Sequence, residues 1–302
     1  MADTRVALGK TELKNPIIPA SGTFGYGREF SELFDLNILG GIAVKGTTAE
    51  ARDGNDSPRI AEACSGMINS VGLQNPGVEK VISEELPALA DIYKGVIIAN
   101  ISGFSKEDYV QCAEAMDRCP HAHIIEVNIS CPNVHGGGMA FGQSSTAAAE
   151  ITKAVREATA KPVYMKLSPN VTDIASVAAA CEAAGADGIS LINTLQAMRI
   201  DIHRRKPVLA NVTGGLSGPA IFPVALRMVN QVRKAVTVPV IGMGGISSAE
   251  DIIEMVMAGA DAVQIGAAGL RNPWIYPEIT ARLPVLMEQL GINRLEEVRG
   301  II

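Results

Sequence analysis

The stretch Val238-Pro239-Val240-Ile241-Gly242-Met243-Gly244-Gly245-Ile246 is a short apolar run that ends in two adjacent glycines. A helical pattern follows at Ala249–Ala258, with Ser248 as its N-cap and Gly259 as its stop, and a second apolar run covers Ala262–Ile265. Unbroken apolar runs are typical of strands that are buried on both faces of a parallel sheet. The segment therefore predicts a strand over Val238–Gly242, a crossover helix and a second parallel strand.

The same alternation of apolar runs and helical patterns extends through the rest of the chain. Six further strands are predicted, at Pro16–Ala20, Gly41–Lys45, Val96–Asn100, Ile124–Asn128, Val163–Leu167 and Gly188–Ile192. Further helices are predicted at Lys106–Asp117, Ala147–Ala158, Ile174–Ala184 and Ala220–Ala235. Eight strands with helical crossovers indicate an α/β fold, a (β/α)8 TIM barrel, with residues 1–302 forming a single domain. A doubly wound sheet is disfavoured because no G-x-G-x-x-G motif follows the first strand.

Composition restricts the classes of function. Hydrophobic residues make up 47% of the 302 residues, which is enough for a large core, and the net charge of −6 argues against general nucleic-acid binding. No apolar run reaches the roughly 18 residues of a membrane span, and the N-terminus lacks a signal-peptide pattern. The five scattered cysteines form no CxxC pair, so no metal or iron–sulfur site is expected in this chain. We expect a cytoplasmic protein with reduced thiols.

Two stretches are longer than an ordinary connection between a strand and a helix. Residues 46–74 contain a possible hairpin, and residues 194–217 carry the basic cluster His203-Arg204-Arg205-Lys206. Loops of this length usually serve as lids, site walls or partner contacts.

Polar side chains end several of the predicted strands. Lys45 and Lys166 follow apolar runs, as do the amides of Asn100, Asn128 and Asn193. A barrel places its site at the carboxyl ends of its strands, and a buried lysine costs several kcal/mol unless it is paired. The alternative is that both lysines turn out to solvent. Two lysines and three asparagines at corresponding strand ends favour a site.

Glycines follow the last two predicted strands, at Gly244-Gly245 and at Gly266-Ala267. Barrels often bind a phosphate between these two loops, where glycine lets the backbone approach the anion. Two ordinary tight turns are the alternative. A phosphate anchor together with lysines and amides suits flavin mononucleotide (FMN), because a lysine near the ring stabilises the charge that builds up on reduction.

Cys131 follows a strand in the stretch Glu126-Val127-Asn128-Ile129-Ser130-Cys131-Pro132-Asn133, ahead of His135 and the glycine run 136–138. A thiol delivered into a loop at a strand's end is placed for chemistry, whereas a structural cysteine more often lies within an apolar segment. A small core cysteine close to a loop remains the alternative. His135 is interpreted as a solvated loop histidine.

Three motifs resemble the class 1 dihydroorotate dehydrogenases: residues 69–77 (NSVGLQNPG), residues 128–133 (NISCPN) and residues 214–218 (GGLSG). The paired glycines at the end of the barrel fit the same family, and the likeness extends over nearly the whole chain. Residues 69–77 and the loop 136–142 resemble the catalytic subunit of class 1B more closely than the fumarate-using class 1A enzyme.

The resemblance implies roles for matching positions, with Cys131 as the catalytic base. The residues implied to face the pyrimidine are Lys45, Asn69, Ser70, Val71, Gly72, Leu73, Asn128, Asn193 and Thr194. Those implied to hold FMN are Ser21, Lys45, Gly46, Asn100, Asn128, Lys166, Ile192, Gly218, Gly244, Gly245, Gly266 and Ala267.

The implied activity is oxidation of (S)-dihydroorotate to orotate in de novo pyrimidine synthesis. Class 1B further implies a partner subunit with FAD and a [2Fe–2S] cluster, through which electrons reach NAD, and a heterotetramer built on a homodimer of this chain. The alternatives are a class 1A enzyme, another flavin-dependent dihydropyrimidine or dihydrouridine reductase, and a non-catalytic barrel that binds a phosphorylated metabolite. The last would not need Cys131, Lys45 and Lys166 together.

Overall fold

The computed structural model describes residues 2–130 and 139–302, so Cys131 and His135 lie outside the described residues. Eight parallel strands form the central sheet. They are β1 (Ile17–Pro19), β2 (Gly41–Ala43), β3 (Val96–Ile101), β4 (Ile124–Asn128), β5 (Val163–Lys166), β6 (Gly188–Leu191), β7 (Val240–Met243) and β8 (Ala262–Ile265). Almost every residue of these strands is buried, as their apolar runs predict.

The hydrogen-bonded order of the strands is β1-β8-β7-β6-β5-β4-β3-β2. The two strands at the ends of this order approach each other, because the backbone N–H of Gly40, just before β2, donates to the carbonyl of Ile17 in β1 at 3.0 Å. The sheet is therefore nearly closed into a barrel, which confirms the predicted (β/α)8 architecture. All eight carboxyl ends consequently face the same side.

Helices surround the sheet. The longer ones are Leu86–Ile92, Lys106–Arg118, Ser145–Ala158, Ile174–Ala183, Phe222–Arg233, Ala249–Ala258 and Ile275–Gln289. Shorter helical segments lie at Arg28–Ser31, Leu36–Ile38, Val78–Lys80, Val81–Glu85, Met139–Gly142, Pro219–Ile221, Ala267–Arg271 and Leu295–Val298. The predicted Ser248 cap is confirmed, since its Oγ accepts from the N–H of Asp251, and the Asp173 carboxylate caps the helix Ile174–Ala183 by accepting from the N–H groups of Ala175 and Ser176.

The two long stretches pair with each other in a second sheet, the loop sheet. Its antiparallel strands lie in the order Leu195–Met198, Thr213–Ser217, Gly66–Asn69 and Ile60–Ala63. The possible hairpin at 46–74 is therefore real, and it pairs with the excursion that follows β6. Two further hairpins join Val6–Leu8 to Thr11–Leu13 and Ile200–Asp201 to Lys206–Pro207.

Some predicted bounds differ from the structure for identifiable reasons. β7 begins at Val240 and not at Val238, because Pro239 has no N–H for the ladder. The helix Ile275–Gln289 is absent from the sequence prediction, since Pro277 and Pro284 interrupt its pattern. Among the helices in the described ranges, none has the length and apolarity that a membrane crossing requires.

Candidate active site at the carboxyl ends of the strands

A cavity of about 340 Å³ opens at the carboxyl ends of the barrel strands. Most residues that the sequence assigned to ligand binding line it: Ser21, Lys45, Gly46, Asn69, Val71, Gly72, Leu73, Asn100, Asn128, Lys166, Ile192, Asn193, Thr194, Gly218, Gly244, Gly245, Gly266 and Ala267. The fold therefore brings together residues that are up to about 250 positions apart, because the ends of the barrel strands and the two long excursions meet at one end of the barrel.

Ser70 does not line this cavity. The residue is 1% exposed, and its hydroxyl accepts hydrogen bonds from Asn55 Nδ2 at 3.1 Å and Asn211 Nδ2 at 3.0 Å. Its side chain thus connects two loops behind the cavity wall. Alternation along the strand ending at Asn69 explains the difference, since successive side chains point to opposite faces.

A buried carboxylate, Glu126, lies in the barrel interior beneath the cavity and has no exposed surface. Asn100 Nδ2 donates to its Oε2 at 2.6 Å, and Gln264 Nε2 donates to its Oε1 at 2.6 Å. Lys166 Nζ lies 3.5 Å from Oε2 in an ion pair that is almost fully buried. The two amides supply hydrogen bonds to the carboxylate, and the lysine supplies its counter-charge, which are the conditions for burying such charges.

Neither Glu126 nor Gln264 is predicted from the sequence as a site residue. A signal was nevertheless available, because a glutamate within the buried strand β4 needs a partner. The register of the strands supplies such partners, because Glu126 is paired with Asn100 on β3, and Asn128 is paired with Lys166 on β5. Gln264 reaches Glu126 from β8, which is not hydrogen-bonded to β4.

A second polar group fixes Asn128 at the end of β4. Its Oδ1 accepts from the backbone N–H of Ser130 at 3.1 Å, from Ser130 Oγ at 2.7 Å and from Asn193 Nδ2 at 3.4 Å. Asn193 is held in turn, since its Nδ2 donates to Ser130 Oγ at 2.8 Å and its Oδ1 accepts from the Thr194 N–H at 2.7 Å. The carbonyl side of Asn128 is thereby engaged, so its NH₂ group is the part suited to a ligand oxygen.

The charges around the cavity favour an anionic ligand. Lys45 and Lys166 both line it, Lys166 being paired with Glu126 beneath the cavity, and no aspartate or glutamate is part of the lining within residues 2–130 and 139–302. Lys45 is half-buried at the end of β2, and a Cβ added to Gly22 would lie 3.8 Å from its Nζ. Field lines concentrate in clefts of one sign, which raises the local concentration of the opposite charge.

Glycines form the edge of the cavity after β7 and β8, and the room for a side chain differs between Gly245 and Gly266. A Cβ at Gly245, where φ is +79°, would lie 2.7 Å from Phe222 Cβ and 2.8 Å from the Phe222 nitrogen. The fold itself therefore requires glycine there. A Cβ at Gly266 would instead meet Ala20 at 3.5 Å and Thr23 at 3.7 Å, both ordinary contacts with residues of the cavity wall. Packing does not demand glycine at 266, but a closely approaching ligand would.

The loop sheet forms the outer wall of the cavity. Met67, Asn69 and Ser217 line it from the two central strands, and Thr194 lines it from the residue before the strand Leu195–Met198. Asn69 Nδ2 donates to the carbonyl of Gly215 at 3.4 Å, across the ladder in which the two residues are paired. Both long excursions are thus needed to complete the wall.

The four cysteines within the described ranges are poorly placed for catalysis at this cavity. Cys112, Cys119 and Cys181 are buried in the core. Burial raises the pKa of the Cys112 thiol to about 12 and that of Cys181 to about 11, which disfavours the thiolate. Cys64 is exposed, and it does not line the cavity.

A (β/α)8 barrel with a cavity of lysines, amides and glycines at the carboxyl ends of its strands has the architecture of a TIM-barrel enzyme. The family model described as dihydroorotate dehydrogenase matches residues 4–287, and the chain belongs to that family. The resemblance identified from the three motifs is therefore confirmed.

Relatives of high identity extend over nearly the full chain. A protein of Anoxybacillus flavithermus is 55% identical over 295 residues, covering 98% of this chain and 94% of its own length. One of Halalkalibacterium halodurans is 54% identical over 300 residues, covering 99% and 98%. Both relatives are named dihydroorotate dehydrogenase B (NAD(+)), catalytic subunit.

Proposed function

We propose that this chain is the catalytic subunit of an NAD-linked, flavin-dependent dihydroorotate dehydrogenase, which oxidises (S)-dihydroorotate to orotate in pyrimidine biosynthesis. The family match and the names of the relatives support the reaction. The observation that carries the proposal is the cavity itself, where two lysines and an amide held by Ser130 and Asn193 meet a glycine edge. An anionic imide and a phosphorylated cofactor both match that chemistry.

The described residues fit FMN. Asn100 and Gln264 both line the cavity. Their side-chain oxygens, Asn100 Oδ1 and Gln264 Oε1, are buried and have no hydrogen-bond partner within the described ranges, so they suit a ligand N–H or hydroxyl. The residues proposed to hold FMN are Ser21, Lys45, Gly46, Asn100, Asn128, Lys166, Ile192, Gly218, Gly244, Gly245, Gly266 and Ala267. When bound, FMN supplies the acceptor for the hydride that leaves C6 of the substrate.

The wall residues are proposed to bind the pyrimidine. Asn69, Gly72, Leu73 and Thr194 line the outer part of the cavity, as do Val71 and Asn193. Asn128 would donate its NH₂ group to a substrate oxygen, because its carbonyl is engaged by Ser130 and Asn193. Lys45 would balance the substrate carboxylate.

Cys131 is proposed as the base that takes the proton from C5 while the hydride leaves C6, so that a C5–C6 double bond forms. The residue lies outside the described residues, and its role rests on the motif 128–133. Two residues shortly before it are fixed by hydrogen bonds. Asn128 lines the cavity, and Ser130 donates to Asn128 Oδ1.

Electrons are proposed to leave through a partner subunit that carries FAD and a [2Fe–2S] cluster and reduces NAD. The word "subunit" in the names of the relatives supports a multisubunit enzyme. We further propose that the chain forms one FMN-binding domain, dimerises, assembles with two partners as a heterotetramer, and acts in the cytoplasm.

The decisive experiment is an anaerobic titration of the purified chain with dihydroorotate. Bound FMN should bleach and orotate should form in equal amount, while denaturation should release FMN and no FAD. Protein that carries no flavin, or flavin that dihydroorotate does not reduce, would contradict the proposal. Efficient turnover with fumarate would move the assignment to the class 1A reaction.

A further inference from the structure

We propose that Glu126 is a positioning residue for the cofactor: it orients the amides of Asn100 and Gln264 as hydrogen-bond acceptors at the cavity floor and supplies the counter-charge of Lys166. The inference rests on the proposed FMN site. It concerns a residue that lies outside the cavity lining and has no exposed surface.

The orientation of both amides follows from the chemistry of an ionised carboxylate. Such a group only accepts hydrogen bonds, so each amide must turn its NH₂ group towards it. Asn100 Nδ2 reaches Oε2 and Gln264 Nε2 reaches Oε1, each at 2.6 Å, which is the short distance expected when the acceptor is charged. One carboxylate thereby sets the direction of two amides on opposite sides of the barrel.

The consequence lies on the other side of each amide. Asn100 Oδ1 and Gln264 Oε1 are buried without a partner in the parts of the chain that the structure describes. Both residues line the cavity, so a bound ligand with N–H or hydroxyl groups is the natural partner for these two oxygens. Gly46 leaves room beside the first of them, since a Cβ at that position would lie 2.8 Å from Asn100 Oδ1.

Glu126 also balances the charge of Lys166. Lys166 Nζ lies 3.5 Å from Glu126 Oε2, and their side chains are 6% and 0% exposed. A buried pair of this kind is neutral overall, so the lysine can face a reduced, more negative cofactor without adding a net charge to the barrel interior. Removing the carboxylate charge would leave a buried cation beside the cofactor.

These two roles are separable by substitution. Glu126→Gln keeps the size of the side chain, but it removes the charge and adds a donor that allows either amide to reverse. Glu126→Asp keeps the charge but shortens the reach to both amides. Asp261→Asn is the matched control, because Asp261 is also a buried carboxylate, paired with Arg233 and Arg299, and it does not line the cavity.

The test measures FMN affinity of the apoproteins by flavin fluorescence, and the flavin midpoint potential from about pH 6 to about pH 9. We expect Glu126→Gln to weaken FMN binding by about tenfold or more. Its potential should lie above that of the wild type, because a less compensated Lys166 stabilises reduced flavin.

The other two variants complete the expected pattern. Glu126→Asp should retain the wild-type potential and lose part of the affinity. Asp261→Asn should unfold at a lower temperature, but it should keep both the affinity and the potential of the wild type.

Either of two results would overturn the inference: wild-type affinity and potential in Glu126→Gln, or equal losses in Glu126→Gln and Asp261→Asn. If Glu126→Gln fails to fold, Glu126→Asp still decides, because a wild-type affinity in that variant removes the orienting role. Failure of the proposed function is a separate result, since the wild-type protein would then bind no FMN or would not be reduced by dihydroorotate.

Discussion

Asn211 Nδ2 donates a hydrogen bond to Ser70 Oγ at 3.0 Å, and the two residues are 141 positions apart. Ser70 follows a strand in the excursion after β2, whereas Asn211 precedes a strand in the excursion after β6. Asn55 Nδ2 donates to the same hydroxyl at 3.1 Å. One buried serine thus connects the two halves of the cavity wall.

Ser70→Ala should loosen this wall without affecting the cavity floor. Asn211 Nδ2 would lose this acceptor, whereas Asn55 Nδ2 would keep the Ser70 carbonyl at 3.2 Å, and an unpaired polar group costs about 1–3 kcal/mol where it is buried. We expect KM for dihydroorotate to rise by about fivefold or more, with FMN affinity unchanged. Ser83→Ala is the control, since its hydroxyl bonds the Glu79 carbonyl on the exposed outer surface. A variant that loses FMN and keeps its KM would place Ser70 in the cofactor site instead.

Gly266→Ala should separate ligand binding from folding. The added Cβ makes ordinary contacts at 3.5 Å or more with Ala20 and Thr23, so the protein should fold. It would occupy space proposed for the phosphate, and FMN affinity should fall by about tenfold or more. Gly245→Ala should instead lower thermal stability even in the apoprotein, because of its positive φ and the Phe222 contacts. Wild-type FMN affinity in Gly266→Ala would move the phosphate away from this loop.

Cys131→Ala should retain FMN and bind orotate, while its flavin should be reduced by dihydroorotate about 100-fold more slowly or worse. An ordinary thiol has a pKa of about 8.5, so the wild-type reduction rate should rise with pH and then level off. Cys131→Ser should keep weak activity that continues to rise into alkaline solution, since a hydroxyl ionises less readily.

Anaerobic stopped-flow absorbance would measure these rates, with Cys64→Ala as the control for loss of an accessible thiol. Reduction of the alanine variant at the wild-type rate would remove Cys131 from the mechanism and favour its interpretation as a small structural residue.

The isolated chain should reduce artificial dyes with dihydroorotate but scarcely reduce NAD. It carries no dinucleotide fingerprint after its first strand and no cysteine cluster in its sequence. Adding the proposed partner subunit should restore NAD reduction, followed at the absorbance of NADH. Rapid NAD reduction by the chain alone, with no second polypeptide in the preparation, would refute the partner.

The barrel was predictable because its strands are buried on both faces and therefore appear as continuous apolar runs. The strand ends then located Lys45, Lys166, Asn100 and Asn128 at one cavity. The interior could not be predicted in the same way, because Glu126 and Gln264 lie within strands, and only registration and closure of the sheet bring them together. Ser70 does not line the cavity for a related reason, since neighbouring residues on a strand face opposite ways.

The role of Cys131 as the catalytic base stays a prediction. The role of Cys131 depends on its motif and on the family, because the residue is not among those described. The helix Ile275–Gln289 was not predicted for a different reason. Prolines interrupt its helical sequence pattern, although tertiary packing still makes the helix form.

The loop sheet has a consequence for how new specificity can arise on this scaffold. Its four strands come from two excursions, and their ladder hydrogen bonds join them to one another and not to the barrel strands. The wall is thus a separate unit that is joined to the barrel at two places, after the carboxyl ends of β2 and β6. Exchanging both excursions together between family members should transplant substrate preference while the recipient keeps its own flavin chemistry, whereas exchanging either one alone would break the ladder between them.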